Sequence, residues 1–337
     1  MSKYLKLFET TSQYNEYITS IDVVLPNVSV AKDAPSTVYF NPLLPHDYSE
    51  DYLTLSALGS GTIILSPNRV DSSTAKSISW SKDKDNWNTI TIGSNNSSIQ
   101  IPVVTGDTIY LKGSATTWWN WDTYPESGLQ INSDCDMIAE GNIMSLLYED
   151  DFKDKISFPD GSSTFRGLFR DNGHLINAEN LILPATTLAQ RCYRDMFYNC
   201  TALTTAPALP ATTLGIACYN GMFNGCSSLI TAPTLHATTL ANYCYDSMFS
   251  GCSSLTAAPE LPATTLADYC YTGMFSSCSS LNNITMLATD ISAWRCLENW
   301  VDGVASTGTF VKNSAATWNV TGVNGIPNGW TITTASA

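Results

Sequence analysis

Nine cysteines are spaced along the second half of the chain with a regularity that fixes its architecture before anything else does. Cys192, Cys218, Cys244, Cys270 and Cys296 fall 26 residues apart, and Cys200, Cys226, Cys252 and Cys278 follow the first four at an interval of eight. The whole unit recurs with them, from Leu183-Pro184-Ala185-Thr186-Thr187-Leu188 through Cys192-Tyr193, Met196-Phe197, Cys200 and Leu203 to Ala206-Pro207. Copies start at Leu183, Leu209, Leu235 and Leu261. A fixed period of this length marks a repeat array, in which each unit buries its apolar face against its neighbours.

Within a unit, Leu188, Ala189, Cys192, Tyr193, Met196, Phe197 and Cys200 lie at i, i+1, i+4, i+5, i+8, i+9 and i+12, which predicts one stripe of a 3.6-residue helix facing the core. Thr186 or Thr187 would cap that helix, and Pro184 discourages an earlier start. Gly225, Gly251 and Asn199 sit where the chain would leave it. The exit Leu203-x-x-Ala206-Pro207-x-Leu209 reads as a brief strand stacking beside its equivalents. One helix and one short strand per unit predict an α/β solenoid.

The positions that drift between copies should face outward: Gln190-Arg191, Ile216-Ala217, Asn242-Tyr243 and Asp268-Tyr269, and then Arg194-Asp195, Asn220-Gly221, Asp246-Ser247 and Thr272-Gly273. Residues 183–286 carry only six charges, Arg191, Arg194, Asp195, Asp246, Glu260 and Asp268, so the presented surface is nearly neutral and rich in hydroxyls. Over the whole chain the charge is −14, which excludes partners that need a positive field, namely nucleic acid and anionic membrane. The amino terminus has no apolar core of a secretory signal, and no stretch reaches 18 apolar residues, so a soluble protein made in the cytoplasm is expected.

Phe165, Leu168-Phe169, Leu175, Ala178 and Leu181 match Tyr193, Met196-Phe197, Leu203, Ala206 and Leu209 at an offset of 28, with Asn172 in the place of a cysteine. This is an atypical first unit. Trp294, Cys296, Trp300 and Val301 keep the phase at the other end but lose the motif, and such terminal units should cover the ends of the stack. Ahead of the repeats, short β-branched runs such as Thr62-Ile63-Ile64-Leu65, Thr89-Ile90-Thr91-Ile92 and Thr108-Ile109-Tyr110-Leu111, broken by Gly, Asn, Ser and Asp, predict an all-β sandwich-like domain. The chain thus divides into an extended arm over 1–46, a β-sandwich-like domain over 47–148, a repeat solenoid over 149–304 and a carboxy-terminal cap over 305–337.

The run Leu-x-x-Cys-Tyr-x-x-Met-Phe-x-x-Cys-Ser-Ser-Leu resembles the BspA-like, or Treponema-type, leucine-rich repeats, and Gly325-Ile326-Pro327-Asn328-Gly329-Trp330 resembles the ending such proteins often carry. The resemblance covers about residues 162–335 and implies adhesion, or protein and glycan interaction, without catalysis. The arm, Lys6-Leu7-Phe8-Glu9-Thr10 with Tyr14, Tyr17 and Leu25-Pro26-Asn27-Val28-Ser29, resembles the amino-terminal segment of virion-associated proteins of phages of gut Bacteroidales, including the crAss-like phages. That resemblance implies that Phe8, Tyr14, Tyr17, Leu25, Pro26 and Asn27 anchor the chain to a capsid or tail protein. Proteins assembled into virions in the cytoplasm and released by lysis need no export signal.

The cysteines invite a metal or a disulfide. Two thiols eight residues apart on one helix would stand about 12 Å apart, too far for one tetrahedral zinc or for a disulfide. Buried, apolar, reduced thiols are expected instead. His46, His174 and His236 have no catalytic setting, and Glu149-Asp150-Asp151 with Asp154 lacks the alternating ligands of a calcium loop. Trp118, Trp119 and Trp121, with Asn120 and Asp122 beside them, could stack on sugar rings, although packing into the sandwich or against the first repeat is the favoured reading.

The expectation is therefore a non-enzymatic virion structural protein, as head fibre, tail fibre or decoration, with no cofactor. It would attach through residues 1–46, present its repeat surface to host or mucosal glycans or proteins, and form a homo-oligomer. A bacterial repeat protein with no virion role is the alternative.

Overall fold

Alternation of apolar and polar residues is what makes strands of the front segment. In β6 (Thr108–Gly113) the side chains of Ile109 and Leu111 point inward, Gly113 is buried at the strand's end, and the residues between them are only half-buried. In β1 (Leu53–Ala57), Leu53, Leu55 and Ala57 are buried too, and Thr54 between them is covered as well. The structure, a computed structural model, describes residues 47–68, 76–92, 98–114, 128–158 and 163–335. Besides β1 and β6, the front segment contains β2 (Gly61–Asn68), β3 (Lys76–Ser81), β4 (Asn88–Ile92), β5 (Ile99–Val103), β7 (Gly128–Ser133) and β8 (Met137–Asn142). One sheet runs β8-β1-β6-β3-β4, all antiparallel, and a second runs β5-β2-β7. A four-residue helix, α1 (Ser145–Tyr148), follows β8. Its buried Ser145 hydroxyl accepts from Leu53 N–H and donates to Leu111 carbonyl, tying β1 to β6.

The first sheet does not stop at the front segment. β9 (Leu175–Asn177) and β10 (Leu181–Ile182), both from the atypical first unit, pair in parallel with β8. Ile131 N–H donates to Leu168 carbonyl, and the buried Asn172 amide donates to Ile131 carbonyl at 3.2 Å. Asn172 therefore stands where a repeat would have cysteine because its partner is a strand and not another repeat. Residues 48–337 form one compact unit with one continuous hydrophobic core.

The α/β leucine-rich-repeat solenoid expected for 149–304 is not what the chain forms. Among the described residues the only α-helix is α1, and none lies in the repeats. Each repeat is instead a string of tight turns with a residue of positive φ at every fourth position: Arg191, Asp195 and Asn199 in the first full copy, then Ala217, Gly221 and Gly225, and then Tyr243, Ser247 and Gly251. Alternate amides go in different directions. Cys192, Arg194, Met196, Tyr198 and Cys200 donate three residues back within the same coil, whereas Arg191, Tyr193, Asp195, Phe197 and Asn199 donate to Ile216, Cys218, Asn220, Met222 and Asn224 of the next. An α-helix turns every amide back on its own chain and leaves none for a neighbour.

The side chains show why a helix does not fit. Phe169, Phe197, Phe223, Phe249 and Phe275 stack in one ladder with centroids 5.4 to 5.8 Å apart. Phe165, Tyr193, Tyr219, Tyr245 and Tyr271 form a second. Packed helices keep their axes about 8–10 Å apart, so coils this close must bond backbone to backbone, nearer to the roughly 4.8 Å of adjacent strands. The extended segment is also reduced. Thr187, expected as a helix cap, makes an isolated parallel bridge to Thr213, and Thr205 bridges Asn177 and Thr231, but these bridges do not widen into a sheet.

A third sheet closes the far end: β11 (Asn283–Met286), β12 (Thr309–Lys312) and β13 (Thr331–Thr334), all parallel. Three indoles fasten the surrounding loops. Trp300, Trp318 and Trp330 donate to the carbonyls of Gly325, Ala288 and Ala305 at 2.8, 2.9 and 2.7 Å.

Candidate functional site

The ten thiols are all buried and unpaired with one another. The second series has a defined role: Cys200, Cys226, Cys252 and Cys278 each donate to the carbonyl of the ladder phenylalanine one coil earlier, Phe169, Phe197, Phe223 and Phe249, at 3.0 to 3.2 Å. Burial lifts the nine repeat thiols above their ordinary range, to about 12 at Cys270 and Cys278 and about 11 at Cys296. Thiols held protonated and out of solvent are structural groups, not nucleophiles. Among the described residues no cluster of His, Cys, Asp and Glu is arranged to hold a metal ion.

Toward the front, charge gathers on Asp195. Arg166, Arg170 and Arg194 place guanidinium nitrogens 3.6, 3.4 and 3.4 Å from its Oδ2. Burial, and next the adjoining Arg194, pulls Arg166 down to about 10. Arg170 also lies 4.1 Å from the Tyr198 ring centroid. Two members of the acidic run are paired: Asp150 accepts from Lys112 and Tyr52, and Asp151 meets Lys155. His174 Nδ1 lies 3.0 Å from Asp136, and His236 is exposed.

Toward the far end the outer face becomes aromatic. Tyr243 and Tyr269 occupy the same register position in successive coils, with rings 4.4 Å apart and 10° from parallel. Trp294 continues the strip into the last coil, where its indole N–H donates to Tyr269 Oη at 3.0 Å and its backbone N–H to Asp268 at 2.8 Å. Trp294 nevertheless remains 62% exposed. The Arg295 guanidinium lies 5.6 Å from the Trp294 ring and 5.9 Å from that of Tyr269. Arg295 also lines an open cleft of about 290 Å³ together with Ile291, Ala293, Cys296, Leu297, Glu298, Val320 and Asn324. Arg295 and Glu298 form an ion pair at 3.4 Å, and Asn324 Oδ1 is held by Asn299 N–H. Arg295 is common to the strip and the cleft.

The residues expected to bind, Phe8, Tyr14, Tyr17, Leu25, Pro26 and Asn27, and Trp118, Trp119 and Trp121, are not among those described. The aromatic strip was not foreseen as a site, although Tyr243 and Tyr269 recur at the repeat spacing in a position that otherwise drifts. No family model matches the sequence, and no curated protein and no solved structure does either. No helix among the described residues is long and apolar enough to cross a membrane.

Proposed function

We propose that this chain is a non-enzymatic structural protein of a phage virion, a head fibre, tail fibre or decoration, attached through residues 1–46 and adhering to a host or mucosal surface through its repeats. The attachment part rests on the resemblance of residues 6–29 to virion-associated arms. One observation supports the adhesive part: each coil bonds to the next through backbone and thiol while its outward positions vary, which makes a stiff scaffold with an adaptable face. The strip from Tyr243 to Trp294, exposed at both ends and half-buried at Tyr269, belongs to that face.

Quantitative mass spectrometry of gradient-purified particles tests the attachment, with copy number referred to the major capsid protein. Stoichiometric recovery that disappears when residues 1–45 are deleted is the expected result. Absence from particles together with abundance in the producing cell overturns the virion role and leaves a bacterial interaction protein.

A further inference from the structure

We infer that the surface formed by Tyr243, Tyr269, Trp294, Arg295, Glu298 and Asn324 is a binding site for a neutral saccharide. The inference rests on the adhesive reading and names its site and ligand class.

The indole of Trp294 has its only N–H occupied by Tyr269 Oη, so its outward surface is apolar ring. A ring fixed in place and left 62% exposed is a preorganised platform that loses little entropy when something stacks on it. Pyranose rings have an apolar C–H face suited to an indole and hydroxyls around the edge that need donors and acceptors. The edge groups here supply both: the Glu298 carboxylate accepts, and Arg295 and the Asn324 amide donate.

Size and charge narrow the ligand. A cleft of about 290 Å³ lies at the low end of the range for small-ligand pockets, and a strip of three rings is far smaller than the roughly 800 Å² per partner of a standard protein interface. Arg295 and Glu298 cancel within the site, and the chain as a whole is at −14, which disfavours sulfated or otherwise polyanionic glycans.

The test is affinity electrophoresis of the full-length protein through native gels containing yeast mannan, dextran, laminarin, xyloglucan or desialylated gastric mucin, followed by titration of any retarding polysaccharide by tryptophan fluorescence. Retardation by at least one of them is expected, with affinity reduced at least tenfold by Trp294→Ala, several-fold by Glu298→Gln, and little by Trp294→Phe. Should Trp294→Ala melt early, Tyr243→Ala and Glu298→Gln carry the comparison. The site is overturned if none of the five retards the wild type, or if Trp294→Ala and Glu298→Gln bind as the wild type does. Loss on Trp119→Ala with Trp294→Ala unaffected overturns it too, by placing binding in the other tryptophan cluster. Particle attachment is read separately by mass spectrometry, so failure here and failure of the virion role are distinguishable.

Discussion

The Cys226 thiol donates to the carbonyl of Phe197 at 3.1 Å, across the junction between two coils. The same carbonyl accepts Cys200 N–H within its own coil. Each second-series cysteine is thus a small buried group that fills space and supplies one donor to the coil before it. Cys226→Ala should cost about 1–3 kcal/mol, since it deletes the buried sulfur and leaves one lone pair of Phe197 without its donor. Urea unfolding checks this, and a change below about 0.5 kcal/mol would count against the role.

The same burial predicts a sharp dependence on pH. The nine repeat thiols have folded-state pKa values raised above the unfolded value near 8.5, so folding favours their neutral form. The stability this represents is whole below about pH 8.5 and is lost as pH rises toward 11 to 12. Each thiol that stays protonated in the fold contributes a slope of about 1.4 kcal/mol per pH unit. Urea midpoints at pH 7, 8.5 and 10 should fall steeply over the last interval, and a Cys278→Ala chain should show a shallower fall. A flat profile from pH 7 to 10 contradicts the burial.

Reactivity follows from the same geometry. In the folded protein none of the ten thiols should react with a thiol reagent on a timescale of minutes at neutral pH, and all ten should react after denaturation without reductant. Fewer than ten would reveal a disulfide that the buried, separated sulfurs do not make.

Ser277 has φ of 62°, in the position held by Gly225, Gly251 and Gly303 in other coils. A residue with a Cβ is strained there by about 1–2 kcal/mol, and glycine is not. Ser277→Gly should therefore raise stability by about 1 kcal/mol, less the greater entropy of glycine in the unfolded chain. The melting temperature measures it, and a lowered value would show that the left-handed turn is not under strain.

Phe223 stacks between Phe197 at 5.4 Å and Phe249 at 5.6 Å in the middle of the array. Phe223→Ala should cost about 3–5 kcal/mol, because the cavity is bounded by two neighbouring coils that cannot both close on it. Phe223→Leu should cost less than half as much. Equal losses in urea titrations would indicate that ring stacking, and not volume, governs the site.

Much of this was legible from spacing alone. The 26-residue period, its phase, the inward set from Cys192 to Leu203 and the outward drift at Asn242-Tyr243 and Asp268-Tyr269 are properties of the sequence, and the coils place them accordingly. A helix is expected and turns are found because apolar residues at i, i+1, i+4, i+5 and i+8 fit two periods. On a helix of 3.6 residues per turn such a set drifts by about 40° every four residues and spreads over half the circumference. On turns of four it stays in line. Gly221, Gly225, Gly251 and Gly273, with Asn199 and Ser247, recur on that four-residue grid and are the signal that separates the two.

The sequence by itself determined that the chain repeats, which side chains of each unit turn inward, and that its cysteines serve as core. Tertiary structure alone decided how closely the units stack, because half of the turn amides find their acceptors 25 residues away in the next coil and no local pattern states how near that coil will come. It decided the candidate site for the same reason. Tyr269 and Trp294 are 25 residues apart in the chain and one hydrogen bond apart in space, and only the closeness of the coils brings them together.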